Sequence, residues 1–286
     1  MKNTLFAMAA IAMTSAAMGQ IKLPAPSPGA TVSQKVGLTE VTVEYSRPSV
    51  KGRKIFGDLV PYGELWRTGA NASTKINFKD DVVFCGKPVP AGKYSLFTVP
   101  SEDMWKIVLN SNSDMSGTSG YDSNLDVLSV SIRPSKGETL TESLTFSFEN
   151  IKDRSATLIL SWEKTKLEFS IEQDIDKIVM AQINDQLINS KTEAEAGTYY
   201  SAAMYYKEKG TDLNQALAWM NKACEKRPEA FWYTHRKAEL LFAMGRNKEA
   251  LEAAAKSLEA AKSNEDGDFG YVKMNEDLMN RIKASK

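Results

Sequence analysis

The stretch LEFSIEQDIDKIVMAQINDQL, Leu167 to Leu187, changes period part-way along. Leu167, Phe169 and Ile171 recur every second residue, which places them on one face of a pleated strand. From Ile175 the apolar positions become Ile175, Ile178, Val179, Ile183 and Leu187, spaced by three and four as on one face of a helix. A pleated body is therefore expected before position 173 and a helical one after it.

Working back from the switch, the same alternation recurs in Val41/Val43/Tyr45, Ile76/Phe78, Tyr94/Leu96, Trp105/Ile107/Leu109, Leu128/Val130/Ile132, Leu144/Phe146/Phe148 and Leu158/Leu160/Trp162. Turn-forming residues separate these runs at Pro90-Ala91-Gly92, Asn110 to Gly120, Pro134 to Gly137, Asn150 to Arg154 and Glu163-Lys164-Thr165. Short strands with no helical run between them predict an antiparallel β-sandwich or barrel over residues 35–172. Pro24, Pro26 and Pro28 make residues 20–34 an extended lead-in outside the packed elements.

Forward from the switch, the chain is rich in strong helix formers, and six helices are expected at about 174–189, 193–209, 212–226, 229–244, 247–262 and 269–284. Thr192 and Glu195 have the spacing of a capping box. Ala216-Leu217 and Ala250-Leu251 lie 34 residues apart, the tetratricopeptide period, with Ala203 and Ala238 as small residues in the paired first helices. Pro228 falls where such a repeat ends, although the Trp and Gly usual in the first helix are missing. The fold class expected is thus α+β by segregated domains, with residues 173–286 forming all-α, tetratricopeptide-like hairpins.

Composition excludes several functions. The 36 basic and 36 acidic residues cancel, and from Gln173 onward the count is 17 against 18. A nucleic-acid-binding domain normally carries a basic excess, so nucleic acid is not an expected partner. Lys2, the apolar run Leu5 to Met13 and Ala17-Met18-Gly19 have the parts of a secretory signal over residues 1–19, cleaved after Gly19. No cysteine follows that run, so no lipid anchor is expected, and no later stretch is apolar for long enough to make a transmembrane segment. The mature chain is expected in the periplasm or outside the cell, with Cys85 and Cys224 as free thiols because they fall in different domains.

No catalytic set emerges. His235 is the only histidine, so a His/Cys zinc site or a Ser-His-Asp triad has almost nothing to draw on, and a packed or solvated helix histidine is the plainer reading. Ser161-Trp162-Glu163-Lys164 fits the S-x-x-K string, but it ends a β run, where successive side chains diverge. No GxGxxG or Walker loop is present, so no cofactor is expected. A pair of carboxylates brought together by folding, as in a glycosidase, leaves no sequence signature.

The exceptional stretch is Ser46 to Ser73, 28 residues without sustained periodicity and carrying a charge of +3. Arg47, Arg53, Lys54, Tyr62, Trp66, Arg67 and Asn71 are its candidate ligand-binding residues. Arg53 and Arg67 could clamp a small anionic ligand, with Trp66 as an apolar floor. The competing reading pairs the arginines with neighbouring acids while Phe56, Leu59, Tyr62 and Trp66 plug one end of the sandwich. In the helical half, Tyr199, Tyr206, Trp219 and Trp232 are candidates either for interhelix core or for a groove that docks a protein or peptide.

RPSVKGRKIFGDLVPYGELWRTGANAST (Arg47 to Thr74), PAGKYSLFTVP (Pro90 to Pro100) and the strand pair around Asn150 to Asp153 resemble family 2911 of the domains of unknown function, over about residues 21–172. The resemblance implies an exported envelope protein of Gram-negative bacteria, often with helices following, and brings no activity or catalytic residue. The expected function is accordingly a non-enzymatic envelope protein, a β platform with helical repeats that dock a partner. The alternative is a hydrolase of envelope polysaccharide or peptide working through cleft carboxylates.

Overall fold

The computed structural model describes residues 23–285, and the signal segment expected at 1–19 lies outside them. The chain divides into two units, Met1–Asp174 and Ile175–Lys286.

Among the described residues the first unit contains ten strands in two antiparallel sheets. The larger has the order β1 (Gly29–Val36), β2 (Thr39–Ser46), β3 (Thr74–Phe78), β6 (Gly92–Val99), β7 (Trp105–Asn110), β8 (Asp126–Ile132). The smaller runs β5 (Lys87–Val89), β4 (Val82–Phe84), β10 (Ser155–Glu172), β9 (Ser135–Glu149). Neither closes into a barrel. Their inner faces share one core, with Val41, Val43, Ile76, Leu96 and Ile107 from one sheet meeting Phe84, Leu158, Leu160, Trp162 and Phe169 from the other. This core is the partner surface that the period-two alternation required.

Two expectations for this unit are corrected, and two strands are added to it. Residues 29–34 of the lead-in are not outside the packed elements, because Gly29–Val36 pairs along its length with β2 and sets Ala30 and Val32 against the core. The expected turn at Glu163-Lys164-Thr165 is instead a bulge within the continuous β10, where the pairing to β9 shifts register and Glu163 takes φ 56°. Charged residues there read as a turn, yet the strand needs only one irregular residue to bend and continue. The two short strands β4 and β5 went unread. They are joined by Cys85 and Gly86, both at positive φ (50° and 75°), the geometry of a tight two-residue hairpin.

Strand β6 is buried on both faces from Tyr94 to Thr98. Its outer face is covered by long loops, with Phe97, Val108 and Met115 forming a second small core backed by Leu65 and Tyr121. Loop residues 61–74 and 111–125 are therefore tied to the sheet, through Trp66 bridging Thr98 and Ala72 bridging Ser116.

The second unit has helices α1 (Ile175–Ile183, continued by a π-helical turn Asn184–Ile188), α2 (Ala196–Lys209), α3 (Leu213–Lys226), α4 (Phe231–Ala243), α5 (Asn247–Lys262) and α6 (Tyr271–Ala284). Helix α2 packs on α3, α4 on α5 and α5 on α6. Ala203, Ala216, Ala238 and Ala250, the small residues of the repeat, are fully buried, so the helices approach closely where the 34-residue spacing required. The capping box is corrected. Helix α2 starts at Ala196 after Glu195, which makes no side-chain cap bond, and the Thr192 hydroxyl is engaged locally with Ser190.

Candidate functional site

The loop Arg47 to Ser73 divides its residues between two tasks. Its aromatic side is core. Phe56 (5% exposed) and Trp66 (7%) sink between the sheets beside Trp105 of β7 and Trp162 of β10. Phe56 meets Trp105 edge-on at 4.7 Å, and Trp66 stacks on Trp162 at 5.8 Å with the planes 18° apart. The Trp66 Nε1 donates to Gly69 O at 3.1 Å, which closes the loop behind the ring. Leu59 and Tyr62, also expected in the plug, lie 46% and 40% exposed outside it.

The cationic residues part company. Arg47 is structural, its Nε donating to Leu144 O (3.0 Å) and a terminal nitrogen to Thr145 Oγ1 (2.7 Å) on β9. Arg53 holds the loop's own backbone, donating to Val50 O and Ser49 O at 3.0 and 2.6 Å. Neither pairs with the neighbouring acids expected of it. Asn71 donates to Ser27 O and Ser46 Oγ, fastening the start of β1. Lys54 is exposed. Arg67 differs from all of these: its side chain makes no hydrogen bond or ion pair with the described residues, and its Nε is shielded from solvent.

Arg53, Trp66 and Arg67 come together along a cleft of about 330 Å³. Its other walls include Ser27, Pro48, Leu59, Val60, Pro61, Leu65, Thr118 and Trp162, with Glu64 as the only carboxylate among the described residues that line it. Tyr62, Lys54, Arg47 and Asn71 do not line it. Sequence reading missed Trp162 as a site residue. It is 1% exposed, sits on the opposite sheet nearly a hundred positions away, and its indole Nε1 has no hydrogen-bond partner either. One cleft is thus lined by two guanidinium groups, and two of its residues, Arg67 and Trp162, each hold an N–H that is sealed from solvent and meets no acceptor among the described residues.

With the fold and this cleft described, the match to known families can be placed: a family model described as a protein of unknown function, DUF2911, fits residues 27–171, just over half of the 286 residues. The chain belongs to the DUF2911 family. No curated protein matches it. The cleft and the loop that builds it both lie inside the DUF2911 domain.

A second group on the DUF2911 domain is internally satisfied. Lys75 Nζ donates to Ser73 Oγ (2.6 Å), Ser95 Oγ (3.4 Å) and Met115 O (3.3 Å), using its three donors while burial lowers its pKa.

In the helical unit Tyr199, Tyr206 and Trp219 are 6–7% exposed and form interhelix core, so they offer a partner almost no surface. Of the four groove candidates only Trp232 is half-buried, with the Arg227 guanidinium 5.2 Å over its ring. His235 is packed, 2% exposed, with Nδ1 at 2.8 Å from Asn275 Oδ1. Asn275 uses its Nδ2 on Ser257 Oγ and Tyr271 O, so Oδ1 is the acceptor and His235 Nδ1 carries the hydrogen. Glu239 is the hub beside it, reached by Lys207 at 2.6 Å, Arg236 at 3.0 Å and His235 Nε2 at 3.7 Å. Among the described residues no cluster of three or more His, Cys, Asp or Glu is placed to hold a metal ion, and no helix is long and apolar enough to cross a membrane.

Proposed function

We propose that the chain is an exported, non-catalytic binding protein whose DUF2911 domain holds a small anionic ligand in the Arg53/Arg67 cleft, while its helical repeats dock a protein or peptide. The observation that carries the ligand reading is the meeting of two guanidinium groups, Arg53 and Arg67, on one cleft where Glu64 is the single carboxylate among the described lining residues. Arg67 makes no hydrogen bond or ion pair with the described residues, so its charge on that lining is left for an anion to compensate. This reading is preferred to the paired-carboxylate hydrolase because Glu64 is the single acid among the described residues lining this cleft. Export is proposed from residues 1–19 alone, and sequencing the mature N-terminus from a cell fraction tests it.

The ligand reading is tested by titrating the full mature chain with acetate, phosphate and sulfate. Displacement of the Trp162 indole N–H resonance by any of these supports it, and indifference to all three refutes it. Docking by the helical unit rests on the hairpins α2–α3 and α4–α5 and on Trp232 as the half-exposed aromatic among the candidates. A partner retained by the wild type and lost with Trp232→Ala supports it, and equal retention by both counts against it.

A further inference from the structure

Resting on the anion reading of the cleft, we infer that the anion it takes is a protein carboxylate, carried by the acidic loop 264–270 of a second copy of this chain that docks head-to-tail.

The chain is neutral overall, yet its uncompensated charge is segregated. Residues 263–280 hold five acids, Glu265, Asp266, Asp268, Glu276 and Asp277, against the single basic residue Lys273. Asp268 is spent on the first turn of α6, where its Oδ2 accepts from Val272 N at 3.1 Å. The other four are exposed and make no side-chain hydrogen bond or ion pair with the described residues. The opposite excess lies on the stretch from Ser46 to Ser73, at +3, where Arg67 is likewise without a partner among the described residues. Patches of opposite sign that nothing neutralises within the molecule attract one another between copies.

The loop is built to be presented. Gly267, Phe269 and Gly270 all hold positive φ (97°, 49° and 82°), and Phe269 is left 69% exposed, the barest of the exposed aromatics. Its base is fastened: Asn264 Nδ2 donates to Gly267 O at 2.6 Å, Gly267 N to Asn264 O at 3.1 Å and Tyr271 N to Asp268 O at 2.9 Å. A loop already fixed in shape gives up little freedom when it docks.

The cleft offers a counterpart to each feature. Arg53 and Arg67 face Glu265 and Asp266 of the incoming loop. Leu59 on the lining and Tyr62 three residues further on are 46% and 40% exposed, an apolar rim for Phe269. Ser27, Thr118 and Glu64 are polar wall, suited to a backbone that brings its own N–H and C=O groups. An aromatic anchor beside a polar, charge-matched surface is the ordinary anatomy of a protein interface. Because the two patches differ, the contact is heterologous, so copies add one after another instead of stopping at a two-fold dimer.

Sedimentation velocity of the full mature chain tests this. At low salt the weight-average mass should rise with concentration past that of a dimer, and in about 0.5 M salt it should return to the monomer, because exposed charges are then screened. Asp266→Arg and Arg67→Glu should each weaken self-association at least about tenfold, since like charge then faces like charge. An equimolar mixture of the two variants should associate again: the reversed loop of one meets the reversed cleft of the other, and the two unaltered patches also meet. A residue needed only for folding gives no such rescue.

A chain that stays monomeric at every concentration overturns the inference, and so does a mixture of folded variants no more associated than its parts. If Arg67→Glu does not fold, the exposed-loop variant Glu265→Gln/Asp266→Asn decides instead, and association that survives it overturns the inference. Titration with acetate, phosphate and sulfate keeps the two readings apart. Anions that bind a strictly monomeric chain leave the cleft reading standing and remove the docking, whereas a chain that neither associates nor binds an anion removes both.

Discussion

Phe56→Ala should destabilise the β domain by about 4 kcal/mol, a cost with an unusual origin for a loop residue. Truncating a buried Phe typically costs ~3–5 kcal/mol, through lost transfer energy and the cavity left behind. Phe56 is 5% exposed, so nearly the full transfer cost applies. Its ring also meets Trp105 at 4.7 Å, and Trp66 and Trp162 at 5.9 Å each, all edge-on. The nearest pair adds about 0.5–1.5 kcal/mol beyond area burial, and the two longer ones less. Gly57 and Val60 also pin the turn through their backbones (Gly57 N to Val60 O and Val60 N to Ile55 O, both 2.9 Å), so the neighbours relax only partly into the gap and most of the cavity cost remains. Urea unfolding of the full chain, followed by hydrogen exchange and mass spectrometry, separates the units. Peptides from β6 and β7 should lose protection at lower urea while those from α4 and α5 stay unchanged. A loss below about 1.5 kcal/mol in the β peptides, or an equal loss in both units, would refute the argument that this loop is part of the sandwich core.

Further outcomes follow from particular contacts. Gly57→Ala should cost about 1–2 kcal/mol by thermal denaturation, since φ is +82° and a Cβ would stand 2.7 Å from the Tyr62 ring; Tyr62 is exposed enough to swing aside, leaving the backbone conformation as the cost. Glu239→Gln should destabilise the helical unit by about 1–3 kcal/mol at neutral pH, read from the far-ultraviolet helix signal. Burial raises the Glu239 pKa, and His235, Lys207 and Arg236 more than reverse this, holding it well below the ordinary carboxylate range. Because the folded value is the lower one, the stabilisation is full above the unfolded value of about 4.3 and fades as pH falls below it. The gap between wild type and variant should therefore close in acid, and a gap that widens there would be contrary. Cys85, whose thiol burial pushes up to about 12, should resist iodoacetamide at pH 8 in the native chain and react on unfolding. Labelling at the rate of a free thiol in the native state would show that the β4–β5 hairpin opens readily.

How far the residues disclosed the structure depends on whether a signal repeats. The alternation at Val41, Val43 and Tyr45 and the 34-residue spacing of Ala216 and Ala250 are repeated decisions by the chain, so the sheets and hairpins were legible. Features decided by one residue were not. Glu163 at positive φ converts an expected turn into a bulge, and Cys85-Gly86 turns the chain after only three residues of strand, too few for a period to show. Strand β1 was obscured by the three prolines just before it, and by a face of Thr31, Ser33 and Lys35 that is polar as suits a sheet edge.

The cleft was half legible, and the division has a physical cause. Sequence composition puts arginines and aromatics in one long loop, but not which way each points. The chain buries Phe56 and Trp66 because their area is worth more inside the sandwich than any surface role. With the aromatic side committed inward, backbone carbonyls claim Arg47 and Arg53, the cations nearest β9 and the loop's own turn. Arg67 follows directly on the buried Trp66, so it is held at the plug's edge, where no acid reaches it. Trp162 is fixed there by its stacking on Trp66, which leaves its indole N–H without an acceptor. The two unsatisfied donors are thus by-products of the same packing that closes the sandwich. A site arising this way should keep its geometry without ligand, and variants that loosen the plug, Phe56→Ala first among them, should weaken anion binding although Phe56 does not line the cleft.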